Sequence, residues 1–152
     1  MQALIFNFSG HRVPTSTLEN LKRQGYETIH IFSEVVHIDV TTDIGSQVEA
    51  LIDKMMTKTN RHGNKVVDFD ADLYFLPPAH ATTSICLYQA LEKLWGYPIP
   101  ILVTGLERGS NSRSPRYTQY GNPFNLKGWV GRFRSELRKE YLLNDGVELI
   151  QV

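Results

Sequence analysis

Cysteine is almost missing from this chain. There is one, Cys86, so no internal disulfide framework holds the fold and a hydrophobic core must do so. Cys86 sits within an apolar helical stretch and reads as a core thiol. Long apolar runs are also missing, which leaves no candidate membrane span. No basic stretch precedes the first apolar run at Ala3, so an export leader is not expected and a cytoplasmic protein is. Net charge is absent, with 16 Lys and Arg against 16 Asp and Glu, which argues against a chain that coats long nucleic acid. Several chemical signatures are missing as well. No G-x-G-x-x-G follows the first apolar run and no G-x-x-x-x-G-K-[ST] occurs, which excludes the standard dinucleotide and NTP phosphate cradles. Without H-E-x-x-H, a Cys/His cluster or G-x-S-x-G, neither a built-in zinc site nor a nucleophile elbow is expected.

What is present suits one domain spanning residues 1–152, long enough to bury its own core. The chain is organised around residues 72–105, DLYFLPPAHATTSICLYQALEKLWGYPIPILVTG. The pattern predicts a buried strand over 73–76, a polar turn over 77–83, a helix over about 83–95 and a second buried strand over 99–103. Two apolar runs around one helix form a βαβ unit, which closes as a right-handed crossover in a parallel sheet. Ligands of open α/β sheets gather outside the carboxyl ends of the strands, which is where the polar turn falls.

The other segments fit the same plan. Residues 3–8 (ALIFNF) predict strand 1, and Ser16-Thr17-Leu18-Glu19 has capping-box spacing for helix 1, which Gly25 ends. Residues 28–32 (TIHIF) and 35–40 (VVHIDV) read as β-rich runs, with His30 and His37 facing outward. Thr42 or Asp43 caps a helix whose apolar positions Ile44, Val48, Leu51, Ile52, Met55 and Met56 share one face. Asp68, Asp70 and Asp72 lie before the central strand, where solvation is a better reading than metal binding. Residues 59–65 read as a surface loop and residues 106–125 as a long loop without hydrophobic period. Leu126, Val130, Phe133, Leu137 and Tyr141 mark a basic amphipathic helix, and residues 147–152 a final strand. Charge is uneven: residues 108–139 carry eight Lys or Arg against one acid, Glu136, which suggests an anionic partner on one face or simply a solvated helix and loop.

The candidate site is the set of loops at the strand ends. These supply Asn7, Ser9, Gly10 and His11 after strand 1; Pro77, Pro78, Ala79, His80, Thr82 and Thr83 after the central strand; and Thr104, Gly105 and Arg108 after the next. Hydroxyls, backbone amides at a helix start and a nearby Arg suit phosphates and nucleobase edges. The plainer alternative is that Thr82, Thr83 and Ser84 cap the helix and Asn7 braces its loop.

The opening ALIFNFSGHRVPTSTLENL resembles the start of a family of standalone CRISPR-associated proteins from type III systems, the fifteenth Csx group. LPPAHATTSICLYQALEKLWGYPIPIL is similar to that family's PPG…GY-P-IL block, and Asn125-Leu126 with the following residues to its closing helix. His80 departs from the family's more usual Gly-Leu at that place, and the Arg-rich loop 108–120 is longer than expected.

The resemblance implies a Rossmann-like, CARF-like domain: a mostly parallel sheet with helices on both faces that binds cyclic oligoadenylate, most often as a homodimer, with larger ligand-driven assembly a further possibility. Carried over, the first and central loops would line the ring, with Arg108 and the basic segment facing its phosphates. No cofactor, no metal, no membrane and no long nucleic acid are expected. Two functions compete. One is a binder that sequesters the messenger, cyclic tetra-adenylate above all, and damps antiviral signalling. The other is a metal-independent ring nuclease in which His11 or His80 moves a proton to or from the ribose or leaving oxygen. A nucleotide-binding domain unrelated to CRISPR is the third reading.

Overall fold

The structure, a computed structural model, describes residues 1–59, 61–111, 113 and 115–125. The helix and strand expected over 126–141 and 147–152 lie outside the described residues. In chain order the elements are β1 (Gln2–Asn7), α1 (Thr15–Arg23), β2 (Thr28–Ser33), α2 (Ile44–Met56), β3 (Asp72–Leu76), α3 (Ala81–Trp95), β4 (Thr104–Leu106) and β5 (Tyr117–Gln119).

β1 is the central strand of a parallel sheet ordered β2-β1-β3. Its sequence requires this place, because residues 3–7 are all buried and only an inner strand has both faces covered. Alternate residues feed two separate cores. Leu4, Phe6 and Phe8 pack with Leu73 and Phe75 against Val48, Ile52 and Met55 of α2 and Leu87, Leu91 and Trp95 of α3. Ala3 and Ile5 pack with Tyr74 and Leu76 against Leu21 and Leu18 of α1. Helices therefore cover both faces, and the chain is a small α/β protein with a three-stranded parallel sheet, an arrangement consistent with a Rossmann-like fold. Phe6 sits at the middle of the larger core, edge-on to Phe8, Phe32 and Trp95 at ring separations of 6.3, 5.6 and 5.8 Å.

The connections fix where a ligand belongs. From β1 the chain passes through α1 to β2 on one side, then through α2 back across β1 to β3 on the other. The chain changes direction at the carboxyl ends of β1 and β3, and this topological switch point is where open α/β sheets hold ligands.

Four sequence expectations change. Helix 1 begins at Thr15, with extended Pro14 at the cap position and no side-chain cap. Ser16 points elsewhere: its hydroxyl meets Thr118 Oγ1 at 3.2 Å and accepts from the Gln119 amide at 2.9 Å. Residues 35–40 form no strand; the chain leaves the sheet after Ser33. Residues 99–103 do run beside β3, with Phe75 N donating to Pro100 O and Leu102 N to Phe75 O, but only Ile101 makes a parallel bridge. Finally, residues 104–119 contain the antiparallel β4–β5 hairpin within what reads as a loop. Gly105 permits it, because a Cβ there would lie 2.7 Å from the Tyr120 ring.

Candidate functional site

A cleft of about 670 Å³ opens at the switch point. Ser9 and Gly10 come to it from the loop after β1, and Pro78, Ala79 and His80 from the loop after β3, with Phe8 among the lining residues. A third wall, absent from the sequence reading, is the run Val35, Val36, His37, Ile38 and Asp39 beyond β2, together with Gln47 of α2. An adjoining cavity of about 250 Å³ is lined by Asn7, Gly10, His11, Arg12, Ser33, Glu34 and Val35.

The first loop is built around Asn7, which is buried. Its side-chain amide donates to His11 O at 2.6 Å and Ser33 Oγ at 3.2 Å, while Oδ1 accepts from Ser9 N at 3.0 Å and Ser9 Oγ at 2.6 Å. Two donors and two lone pairs are thereby used, so Asn7 acts as the brace of the loop. Gly10 lies at φ 78°, the left-handed turn that aims the loop back. His11 is exposed, and its ring stacks on Tyr117 of β5 at 4.2 Å.

The second loop ends on His80, which caps α3 in place of the expected Thr82 or Thr83. His80 Nδ1 accepts from Thr83 N at 3.3 Å and lies 2.7 Å from Thr83 Oγ1. With Nδ1 accepting, the neutral ring carries its proton on Nε2, which is then the ring's donor. Ser84 Oγ donates to Pro78 O at 2.7 Å and holds the loop from behind. Beyond His80 the α3 dipole presents its positive end on the same side.

The third wall is clamped to α2 at both ends. At its start Glu34 N donates to Asn7 O, and the Glu34 carboxylate pairs with Lys58 at 2.9 Å and Lys54 at 3.1 Å. The Lys58 hydrogen bond, helped by Lys54, holds Glu34 below the usual carboxylate range against the opposing effect of burial. At its end Asp39 N donates to Gln47 Oε1 and Asp39 O accepts from Gln47 Nε2, each at 2.9 Å. The Asp39 carboxylate is held below its ordinary range by the Thr41 hydroxyl and then the Thr41 amide.

The remaining expected residues lie elsewhere. Pro77 lines a different groove, with Ile85, Tyr88 and Ile101. Thr82 is exposed on the first turn of α3, and Thr83 is buried under the His80 cap. Thr104 and Gly105 belong to β4, and Arg108 lies in the turn of the hairpin; the lining of neither cavity includes them. Among the described residues no group of three or more His, Cys, Asp or Glu is arranged to hold a metal ion, and no helix is long and apolar enough to cross a membrane.

Fold and cleft together define an α/β protein with a ligand-sized cleft at the switch point of a parallel sheet. No family model, curated protein or solved structure matches the chain.

Proposed function

We propose that this protein is a CARF-like binder of cyclic oligoadenylate, cyclic tetra-adenylate first, that damps type III CRISPR antiviral signalling by sequestering the messenger. The carrying observation is the switch-point cleft, where the loops after β1 and β3 and the segment after β2 meet. The backbone at Gly10, the His80 ring and the start of α3 supply neutral and dipolar donors for phosphate, with Arg12 in the adjoining cavity as the cation. The resemblance in sequence supplies the ligand class.

Binding is favoured over ring opening by the ring contacts of the two histidines. His80 Nδ1 is occupied by its own helix, which leaves Nε2 as a donor and removes it from service as a base. His11 is stacked on Tyr117. A single donor stabilises phosphate charge but does not complete an acid–base pair.

Labelled cyclic tetra-adenylate, run with the protein on native and denaturing gels, tests the reading. A shifted ring that stays intact is the expected result. Arg12→Ala should weaken the shift about tenfold and lower its salt sensitivity. Linear product that disappears in His80→Ala would establish the nuclease, and no shift at micromolar protein would end both.

A further inference from the structure

The two cavities at the switch point lead on to a third. It encloses about 400 Å³ between the start of α1 and the β4–β5 hairpin, with Arg12, Thr15, Ser16, Glu107, Arg116 and Tyr117 among its lining residues. The three share walls. Gly10 and Val35 line both the main cleft and the adjoining cavity, and Arg12 lines both the adjoining cavity and the third. The stacked rings of His11 and Tyr117 stand on that second boundary, His11 lining the adjoining cavity and Tyr117 the third.

Contacts between segments far apart in sequence fix the third cavity. Ser16 Oγ accepts from Gln119 N at 2.9 Å and meets Thr118 Oγ1 at 3.2 Å, which sets the hairpin against α1. The backbone of Arg116 is pinned as well: its N–H donates to Ser110 Oγ and its carbonyl accepts from Glu107 N, each at 2.7 Å. A cation on a fixed backbone loses less freedom when it meets a ligand.

Charge defines the kind of ligand. The charged side chains of this lining are Arg12, Arg116 and Glu107, two cations against one anion. Among the described residues no carboxylate pairs with Arg12. Glu107 Oε2 meets Arg116 Nε at 3.4 Å, with the side chains 48% and 63% exposed, so water weakens that single contact. A phosphate group offers a guanidinium two oxygens at once and is the better partner. The first turn of α1, which has no side-chain cap, adds positive potential from the same wall.

We infer that the ligand of the switch-point cleft runs on past Arg12 into the third cavity, where Arg116 takes a second phosphate. The inference rests on the nucleotide reading given above and gives it a minimum length. The ligand carries two successive phosphates, one at the switch point and one at the hairpin, with Arg12 between them. A mononucleotide fills only the first position. Glu107 competes with the second phosphate for Arg116 and so limits the affinity. An anion site filled independently of the cleft is the competing reading. It is disfavoured because Arg12 belongs to both sides of the boundary.

The test measures binding by calorimetry with the full chain, its Arg116→Ala and Glu107→Gln variants, and three probes: AMP, the linear dinucleotide pApA and cyclic tetra-adenylate. Wild type should bind pApA about tenfold more tightly than AMP. Arg116→Ala should remove that advantage and leave AMP within about twofold, whereas Glu107→Gln should tighten pApA severalfold. Both substitutions break the same exposed ion pair, so a purely structural role would move the two variants in the same direction. Opposite directions place Arg116 against the ligand. Changes of the same sign, an equal loss for AMP and pApA in Arg116→Ala, or pApA no tighter than AMP would each overturn the inference. Cyclic tetra-adenylate bound equally by wild type and Arg116→Ala would overturn it while leaving the proposed function intact. Arg116-dependent binding of pApA without any binding of cyclic tetra-adenylate would do the reverse, and no binding of any probe would end both.

Discussion

At the scale of single residues, His80 combines two tasks that substitution separates. It caps α3 through Nδ1 and is one of the residues that line the cleft. His80→Ala should lower stability in urea by about 1 kcal/mol, the usual value of a cap, and also weaken ligand binding. His80→Asn keeps a cap acceptor, so its melt should stay close to wild type while binding still falls; a loss of stability equal to that of Ala would show that Nδ1 does not cap. A second test sits at the opposite end of the sheet. Tyr26 donates to Asp72 Oδ2 at 2.6 Å and Tyr74 to the Tyr26 oxygen at 2.9 Å. Burial first, then the Asp72 hydrogen bond, raises the Tyr26 pKa, so the hydroxyl stays protonated and the chain of donors holds. Tyr26→Phe should cost about 1–3 kcal/mol in a urea melt without altering binding, because it leaves Asp72 and Tyr74 short of a partner far from the cleft. The contrast with His80 identifies which residues serve the fold and which the cleft.

At the scale of elements, the segment after β2 is held by ion pairs at one end and by the Gln47 amide at the other, and the ion pairs respond to pH. Glu34 has its pKa lowered from 4.5 by Lys58 and Lys54 in the folded protein. Its contribution is therefore complete above the unfolded-state value and is lost as pH falls through the lower folded value. Between about pH 7 and about pH 3 the wild type should lose more stability than Glu34→Gln, with the two converging in acid. Parallel loss in both proteins would show that the pair contributes nothing. This segment also shows what a sequence conveys. Its alternation of exposed and half-buried residues was legible, but the absence of a strand partner was not, because pairing depends on residues far away in sequence. β1 and β3 were legible in position because strands buried on both faces are apolar throughout. The Ser16 capping box failed for the same reason as the missing strand: its hydroxyl found Thr118, 102 positions on, a partner that local spacing does not encode. The His80 cap was hidden by chemistry, since Ser, Thr, Asp and Asn lead at that position. Of the candidate site, the first and second loops were legible from small polar residues at strand ends. The third wall was not, because nothing local in residues 35–39 marks them as lining a cleft formed with loops distant in sequence.

At the scale of the whole molecule, the geometry bears on stoichiometry. One chain offers a cleft of about 670 Å³, within the range of about 300–1,000 Å³ that encloses a drug-sized molecule. A ring of four nucleotides is larger than such a ligand and repeats its own edge, so one cleft of this kind contacts only part of it. The economical way to satisfy a two-fold ligand is two equal surfaces related by a two-fold axis, the commonest symmetry of soluble oligomers. Native mass spectrometry of the protein with cyclic tetra-adenylate should then give two chains per ring. Arg12→Ala should reduce the amount of that complex without producing a one-to-one species. A one-to-one complex that persists at all ratios would mean that a single cleft takes the whole ring, and the symmetric arrangement would be wrong even with binding intact.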